Sequence, residues 1–239
     1  MKKISFLFLL VVVLLITGCK RNNNEIVMAT EATFPPYEYY SDGKIVGVDV
    51  DIMKEVAKEL GKKLKVKDVQ FDSIISEVKS GKSDVGAAGI SYSEERAKQV
   101  AFSDSYMDSM QVLVVRNDSK VESIIDLYDK SVAVQLGTVA DTYLTDNYSE
   151  IKVVREKKFL AAIQDLKDSK VDAVLMDYVP AKEFVDDSLN ILEEPVLIDS
   201  YSVIVDKSNK DLLKTINKVI KRMKKNGDID KSLLKHSGD

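Results

Sequence analysis

Residues 74–91 read IISEVKSGKSDVGAAGIS, and residues 162–179 read AIQDLKDSKVDAVLMDYV. Each is an amphipathic stretch, a short polar turn, an aspartate and an apolar run, which is the order helix, turn, strand. Aligning Asp84 with Asp172 also matches Gly89 with Asp177. A chain that repeats this unit reads as two related α/β halves. Gly89 and Asp177 then both lie just past the carboxyl end of a strand, where open parallel sheets bind ligands. Two such sheets facing one another bring those ends together across a cleft.

The flanking sequence extends the same alternation. Strands are expected over 26–30 (IVMAT), 84–88 (DVGAA), 111–115 (QVLVV), 132–134 (VAV) and 172–176 (DAVLM), giving mainly parallel sheets flanked by helices. A helix over 51–61 places Ile52, Val56 and Leu60 on one face, with Asp51 near its cap and Gly61 as its stop. The last long helix, DLLKTINKVIKRMKKNG over 211–227, stacks Leu212, Leu213, Ile216, Val219, Ile220 and Met223 on one side, its lysines opposite and Gly227 at its end.

Composition narrows the function. With 45% hydrophobic and 31% charged residues among 239, and only four prolines, this is a folded chain with ample core. Its formal charge of −4 has both signs interspersed. There is no basic stripe for phosphates and no aromatic-and-arginine register for single strands, so nucleic acid is not an expected partner. No pattern calls for a cofactor or a metal.

The amino terminus, MKKISFLFLLVVVLLITGC, reads as a processing signal. Lys2 and Lys3 form the positive region, and the apolar stretch from Ile4 to Ile16 is short for a membrane span. Thr17 and Gly18 before Cys19 resemble a bacterial lipobox, in which the cysteine is acylated. Cys19 is the single cysteine, so no intrachain disulfide forms. The reading is a lipoprotein signal peptide over 1–18 and a polar tether over 19–24. Loss of Lys2 and Lys3 takes the formal charge from −4 to −6.

The chemistry concentrates in a few loops. SEERAKQV (93–100) is a helix start, with Ser93 as cap and Glu94 and Glu95 in the first turn. Arg96 lies against the dipole there. It is either a solvated arginine or, with the backbone of the preceding glycine and serine, a pocket for a planar carboxylate. In VQLGTVADTYL, Gln135, Gly137 and Thr138 join a strand to a helix. Thr138 is either a simple N-cap or a second donor to the same carboxylate. Asp177 in LMDYVP is a cap or the partner of an ammonium across the cleft. EATFPPYEYY offers Phe34, Tyr37, Tyr39 and Tyr40, and VQFDSII offers Phe71. Pro35 and Pro36 hold an extended loop suited to a cleft wall.

The stretches 29–60, 71–106, VQLGT (134–138), KVDAVLMD (170–177) and the closing INKVIKRMKKNGDIDKSLLK (216–235), in this order and spacing, resemble the bacterial extracellular solute-binding proteins of the polar amino-acid family. These are substrate-capturing components of ABC importers, and the resemblance runs from Ile26 to about Gly238. It implies that Arg96, the Ser91 backbone and hydroxyl and the Thr138 N–H hold a ligand α-carboxylate. Asp177 and the Gly89 carbonyl would hold the α-ammonium. Phe34 and Phe71, with Tyr37 nearby, would flank the ligand side chain, and Glu31 stands where relatives often place a polar contact to it. Ser93 replaces the usual threonine before the arginine, and Val48 replaces an aromatic after Gly47.

The expected architecture is therefore a two-lobed periplasmic-binding-protein-like fold. Lobe one comprises residues 25–110 and 201–239, lobe two comprises 111–200, and the two crossings near QVL (111–113) and LIDSY (197–201) form a hinge. The expected function is binding of a polar or cationic L-amino acid between the lobes and delivery to an ABC transporter permease, by a monomer anchored through lipid at the cell envelope. Two alternatives differ in class. An enzyme resembling cyclohexadienyl dehydratases would need a proton donor, and the sole histidine, His236, is read as solvated near the end of the chain, leaving Glu31 as a candidate acid. A lipoprotein that senses amino acids without feeding a transporter would look the same in sequence.

Overall fold

The structure is a computed structural model that describes residues 24–237, so the leader over 1–18, Cys19 and nearly all of the tether lie outside the described residues. In chain order the strands are β1 (Glu25–Thr30), β2 (Thr33–Phe34), β3 (Glu38–Ser41), β4 (Lys44–Val46), β5 (Lys63–Asp68), β6 (Val85–Gly86), β7 (Ala101–Phe102), β8 (Met107–Arg116), β9 (Ser131–Gln135), β10 (Lys152–Glu156), β11 (Ala173–Asp177), β12 (Leu189–Tyr201) and β13 (Ile204–Val205). The helices are α1 (Val48–Glu59), α2 (Ile74–Lys79), α3 (Glu94–Ala97), α4 (Val139–Asn147), α5 (Phe159–Lys167), α6 (Tyr178–Phe184), α7 (Lys210–Asn226) and α8 (Asp228–His236). None of the described helices is long and apolar enough to cross a membrane.

These strands form two five-stranded sheets, in the orders β5-β1-β6-β13-β7 and β10-β9-β11-β8-β12, plus a small sheet β2-β3-β4. Pairing is parallel over β5-β1-β6 and β10-β9-β11 and antiparallel in the rest of each sheet, so both are mixed. The reason lies in the crossings. β8 carries the chain out and β12 carries it back alongside, pairing from Met107 against Tyr201 to Arg116 against Leu189, so these strands must run in opposite directions.

The internal repeat has a physical basis. Asp84 and Val27 exchange two hydrogen bonds: the Asp84 N–H donates to the Val27 carbonyl and Oδ2 accepts from the Val27 N–H, both at 2.8 Å. Asp172 and Ser131 make the same pair, again both at 2.8 Å. Each aspartate thus locks the start of β6 or β11 to the neighbouring parallel strand. Gly81 and Ser169, which also align, both turn the chain at positive φ, 70° and 58°.

Local signals set most boundaries, with three corrections. The strand expected over 84–88 is paired only at Val85 and Gly86, because the chain then turns at Gly89 with φ 54°. Helix α1 begins at Val48 rather than near Asp51, which puts Asp49 and Asp51 in its first turn. Gly47, at φ 134°, makes this possible, since a Cβ there would stand 2.0 Å from the Tyr37 carbonyl oxygen. His236 is not solvated. It is 9% exposed on α8, with Nδ1 3.1 Å from the Tyr39 hydroxyl and Nε2 3.0 Å from Asp51 Oδ2. The final helices dock on α1, so the imidazole fastens the carboxyl-terminal end to the first helix.

Helix α7 buries Leu212, Ile216, Val219, Ile220 and Met223, each such side chain contributing about 1.5–3 kcal/mol. Leu213, expected on the same face, is half-buried. Gly227 ends the helix in the left-handed region at φ 68°. On its outer side Lys218 and Arg222 reach Glu59, and Arg222 also reaches Glu55, across to α1.

Candidate functional site

The loops at the carboxyl ends of β1, β6, β9, β10 and β11 converge on one cleft. Its lining includes Glu31, Phe34, Phe71, Gly89, Ser91 and Arg96 on the side of the first sheet. Gln135, Thr138, Phe159 and Asp177 line it from the second, and Gln111 and Glu38 are also in the lining. The free space amounts to about 10 Å³ for the centre of a water-sized sphere, which is room for about one water. An amino acid enters only when the two halves part or side chains withdraw.

Arg96 is drawn inward. Ser93 caps α3, its Oγ accepting from the Arg96 N–H at 3.2 Å, and this fixes the first turn. The Arg96 side chain is 8% exposed, so the solvated alternative does not hold. Nη1 donates to the Ser91 carbonyl at 2.7 Å and Nη2 to the Gly137 carbonyl at 2.8 Å. The guanidinium lies 5.5 Å from the centre of the Phe71 ring. Burial pulls its pKa down to about 10, against the opposing pull of Asp199 and Asp177. Arginine stays charged at neutral pH, so the cleft holds a dry, fixed cation.

Thr138 acts as the cap of α4, its Oγ1 accepting from the Asp141 N–H at 3.2 Å. Its own N–H donates to the Gln135 carbonyl at 3.3 Å in this closed arrangement. The Ser91 hydroxyl donates to Asp199 at 2.6 Å.

Asp177, the last residue of β11, lines the same cleft, and its charge reaches Arg96. It precedes α6 but makes no side-chain capping bond, which removes the structural role a lone acid would have there. Its Oδ1 instead accepts from Ser109 at 2.9 Å, from Gln111 at 2.7 Å and from the Tyr201 hydroxyl. All three donors come from the crossing strands β8 and β12. Burial first, and the Asp199 charge second, push the Asp177 carboxyl up to about 7. Gly89 sits beside it, and its left-handed turn is enforced by space as well as φ, because a Cβ would meet Phe34 Cε1 at 2.8 Å.

Glu31, 2% exposed, accepts from the Thr33 hydroxyl at 2.8 Å, from Gln135 Nε2 at 3.4 Å and lies 3.5 Å from Lys158 Nζ. Desolvation raises its pKa, with Thr33 and Lys158 pulling the other way. Phe34 and Phe71 both line the cleft, and Phe159 joins them. Phe34 stacks on Phe159 at 5.7 Å and 26°, while Phe71 lies beneath Arg96. Tyr37 is not on the cleft wall. It packs behind Phe34 at 5.7 Å and meets Tyr201 edge-on at 5.0 Å.

Sequence reasoning did not single out Phe159, Lys158, Gln111, Asp199 or Glu38. Phe159 opens an amphipathic helix and reads as core. Gln111 and Asp199 sit on strands whose alternation says nothing about which face meets a cleft.

Fold and cleft together define a two-lobed protein whose interlobe cleft holds a buried cation, Arg96, and two buried carboxyls, Asp177 and Glu31. The chain belongs to the bacterial extracellular solute-binding proteins, family 3, whose model matches residues 26–239. It is 30% identical over 222 residues to the arginine-binding extracellular protein ArtP of Bacillus subtilis, covering 90% of this chain and 87% of that protein. The crystal structure of a mutant of ArgBP from T. maritima superposes with a TM-score of 0.86 at 40% identity, over 90% of this chain and 96% of that one. An amino acid ABC transporter substrate-binding protein from Streptococcus pneumoniae, AbpA bound to L-arginine, superposes at 0.85 with 33% identity, over 89% and 94%.

Proposed function

We propose that the protein captures a cationic L-amino acid, arginine foremost, between its two lobes and delivers it to an ABC importer. The observation that carries this reading is the convergence, within one cleft, of the buried Arg96 guanidinium with the buried carboxyls of Asp177 and Glu31. Arg96 pairs with the α-carboxylate, with Ser91 and Thr138 beside it. Asp177 and the Gly89 carbonyl take the α-ammonium. Glu31, between Phe34 and the Gln135–Lys158 side, takes the far end of the ligand, where a guanidinium would displace Lys158 as its charge partner. The names of ArtP and AbpA support arginine.

Lobe one is assigned to 25–110 with 201–239 and lobe two to 111–200, because the first sheet draws its strands from 25–102 and 204–205 and the second from 107–201, with the first residues of β8 and the last of β12 spanning the two boundaries. β8 and β12 form the hinge. The reading is of a binding protein rather than an enzyme, and the one imidazole serves to dock α8. Acylation at Cys19 would hold the protein at the outer face of a membrane as a monomer.

A thermal-shift screen of the twenty L-amino acids tests this reading. A ligand at a hundredfold excess over its Kd stabilises by about 2.7 kcal/mol. L-arginine is expected to give the largest shift. A purely aliphatic amino acid ranking first refutes the assigned role of Glu31.

A further inference from the structure

Beneath the ammonium end lie two carboxyls that the proposed binding scheme does not use. Glu38, on β3, is 1% exposed and Asp49, in the first turn of α1, is 0% exposed. Docking of α1 on the hairpin brings them together: the Val48 N–H donates to the Pro36 carbonyl, the Asp49 N–H donates to the Tyr37 carbonyl at 3.0 Å, and Gly47 allows the close approach. Asp49 Oδ2 accepts the Gly89 N–H at 2.9 Å, a buried bond between residues forty positions apart. Both Glu38 oxygens, Asp49 Oδ1 and the Tyr106 hydroxyl are buried with no hydrogen-bond partner among the described residues, and the Glu38 and Tyr106 groups act electrostatically on Asp49. Glu38 also lines the cleft.

The groups facing this pair are Tyr37 and Glu31 beside the hairpin, Tyr106 ahead of β8, and Asp177 on β11. All are neutral or acidic. Two buried carboxyls without a cation cannot both be ionised, and a half-satisfied pair of this kind is a poor source of stability. Burial, followed by the Asp49 charge, holds Glu38 well above the usual carboxylate range, and burial raises Asp49 to about 6. Asp49 therefore ionises first, with Glu38 as its proton-bearing neighbour. The ionised group is the one that holds Gly89.

We infer that Glu38 and Asp49 are a positioning pair for the ammonium subsite, in which the two carboxyls share one proton and the Asp49 carboxylate, by accepting the Gly89 N–H, fixes the turn at Gly89 and so aims the Gly89 carbonyl at the ligand's ammonium. The pair acts through Gly89 and places negative charge behind it, so it strengthens recognition of the α-ammonium specifically. This rests on the assignment of Gly89 and Asp177 to that subsite.

Two measurements on the whole mature protein test it. Side-chain carboxyl ¹³C spectra of the ligand-free protein, assigned with Glu38→Gln and Asp49→Asn, should show Glu38 protonated at about pH 7. Both carboxyls ionised there would overturn the pair, whatever the protein binds. Calorimetry should then compare L-arginine with 5-guanidinopentanoate, which lacks only the α-ammonium. Asp49→Asn is expected to weaken L-arginine at least tenfold and the analogue less than threefold. Equal losses for both ligands, as a purely structural role would give, or no loss for either, overturn the inference. Glu38→Gln, which can still donate to Asp49, should weaken L-arginine less than Glu38→Leu does, and the reverse order counts against the shared proton. The spectra are read without ligand, so wild-type protein that binds no L-amino acid would refute the proposed function alone.

Discussion

Arg96 Nη2 donates to the Gly137 carbonyl at 2.8 Å, joining the helix that follows β6 to the loop that follows β9. The same guanidinium holds the Ser91 carbonyl at 2.7 Å, so one side chain clasps both sheets at the mouth of the site. A ligand carboxylate entering this position meets a cation already desolvated and aimed by two carbonyls. The clasp therefore links recognition to closure.

Arg96→Ala leaves a ligand carboxylate buried without its charged partner, a loss of about 2–5 kcal/mol. Binding of L-arginine should weaken about thirtyfold or more by calorimetry, with the circular dichroism spectrum unchanged. A loss under about threefold would show that the carboxylate is held elsewhere. Arg96→Lys should recover little, because an ammonium cannot span the two carbonyls and a carboxylate with a planar fork.

Binding should strengthen as pH rises. Asp177 keeps its proton up to about 7 in the free protein, whereas an unfolded aspartate loses it near pH 4. Across that window the native state holds the extra proton, so this residue's contribution makes the ligand-free protein less stable as pH rises. A bound ammonium favours the carboxylate. Ligand affinity should accordingly increase about tenfold or more between pH 5 and pH 7.5, with proton release measurable by calorimetry in two buffers of different ionisation enthalpy. A flat profile would place the ammonium away from Asp177.

The cleft as it stands admits about one water, and on the proposed hinge the lobes would separate and close again about β8 and β12 to capture a ligand. X-ray scattering should give a smaller radius of gyration with saturating L-arginine than without. Stiffening one crossing strand, for example by a disulfide engineered between β8 and β12, should slow ligand exchange in stopped-flow fluorescence. Unchanged exchange would locate the hinge elsewhere.

The protein expressed in a bacterial host should incorporate labelled palmitate and partition into detergent, because acyl chains at about 0.8 kcal/mol per buried CH₂ give durable anchorage. Cys19→Ala should release it to the aqueous phase. Wild-type protein that is freely soluble and unlabelled would refute acylation at Cys19.

Much of this architecture was legible in local pattern. The repeat about Asp84 and Asp172 announced two matched halves, and its aspartates prove to pin equivalent strand pairs to Val27 and Ser131. Apolar spacing and Gly227 placed α7 within a residue of its observed ends. Ser93 was readable as the cap that turns Arg96 into the loop. Such features depend on neighbours within a few positions, and backbone dihedrals, caps and periodicity are written there.

What the local pattern could not decide was which side chains share a dry space. His236 reads as a polar residue near a chain end, yet its ring packs against Tyr39, 197 positions away, and bonds Asp51. Lys158 and Glu31, Phe159 and Phe34, Asp49 and Gly89 are likewise joined only by the docking of separate elements. Local pattern was enough for the two-sheet fold, and the family resemblance supplied the expected carboxylate and ammonium contacts at Arg96 and Asp177. Phe159 in the cleft wall, the Lys158 contact and the Glu38–Asp49 pair come only from the packing, because burial, and with it protonation and charge strength, depends on every element that closes over a group and not on its neighbours in the chain.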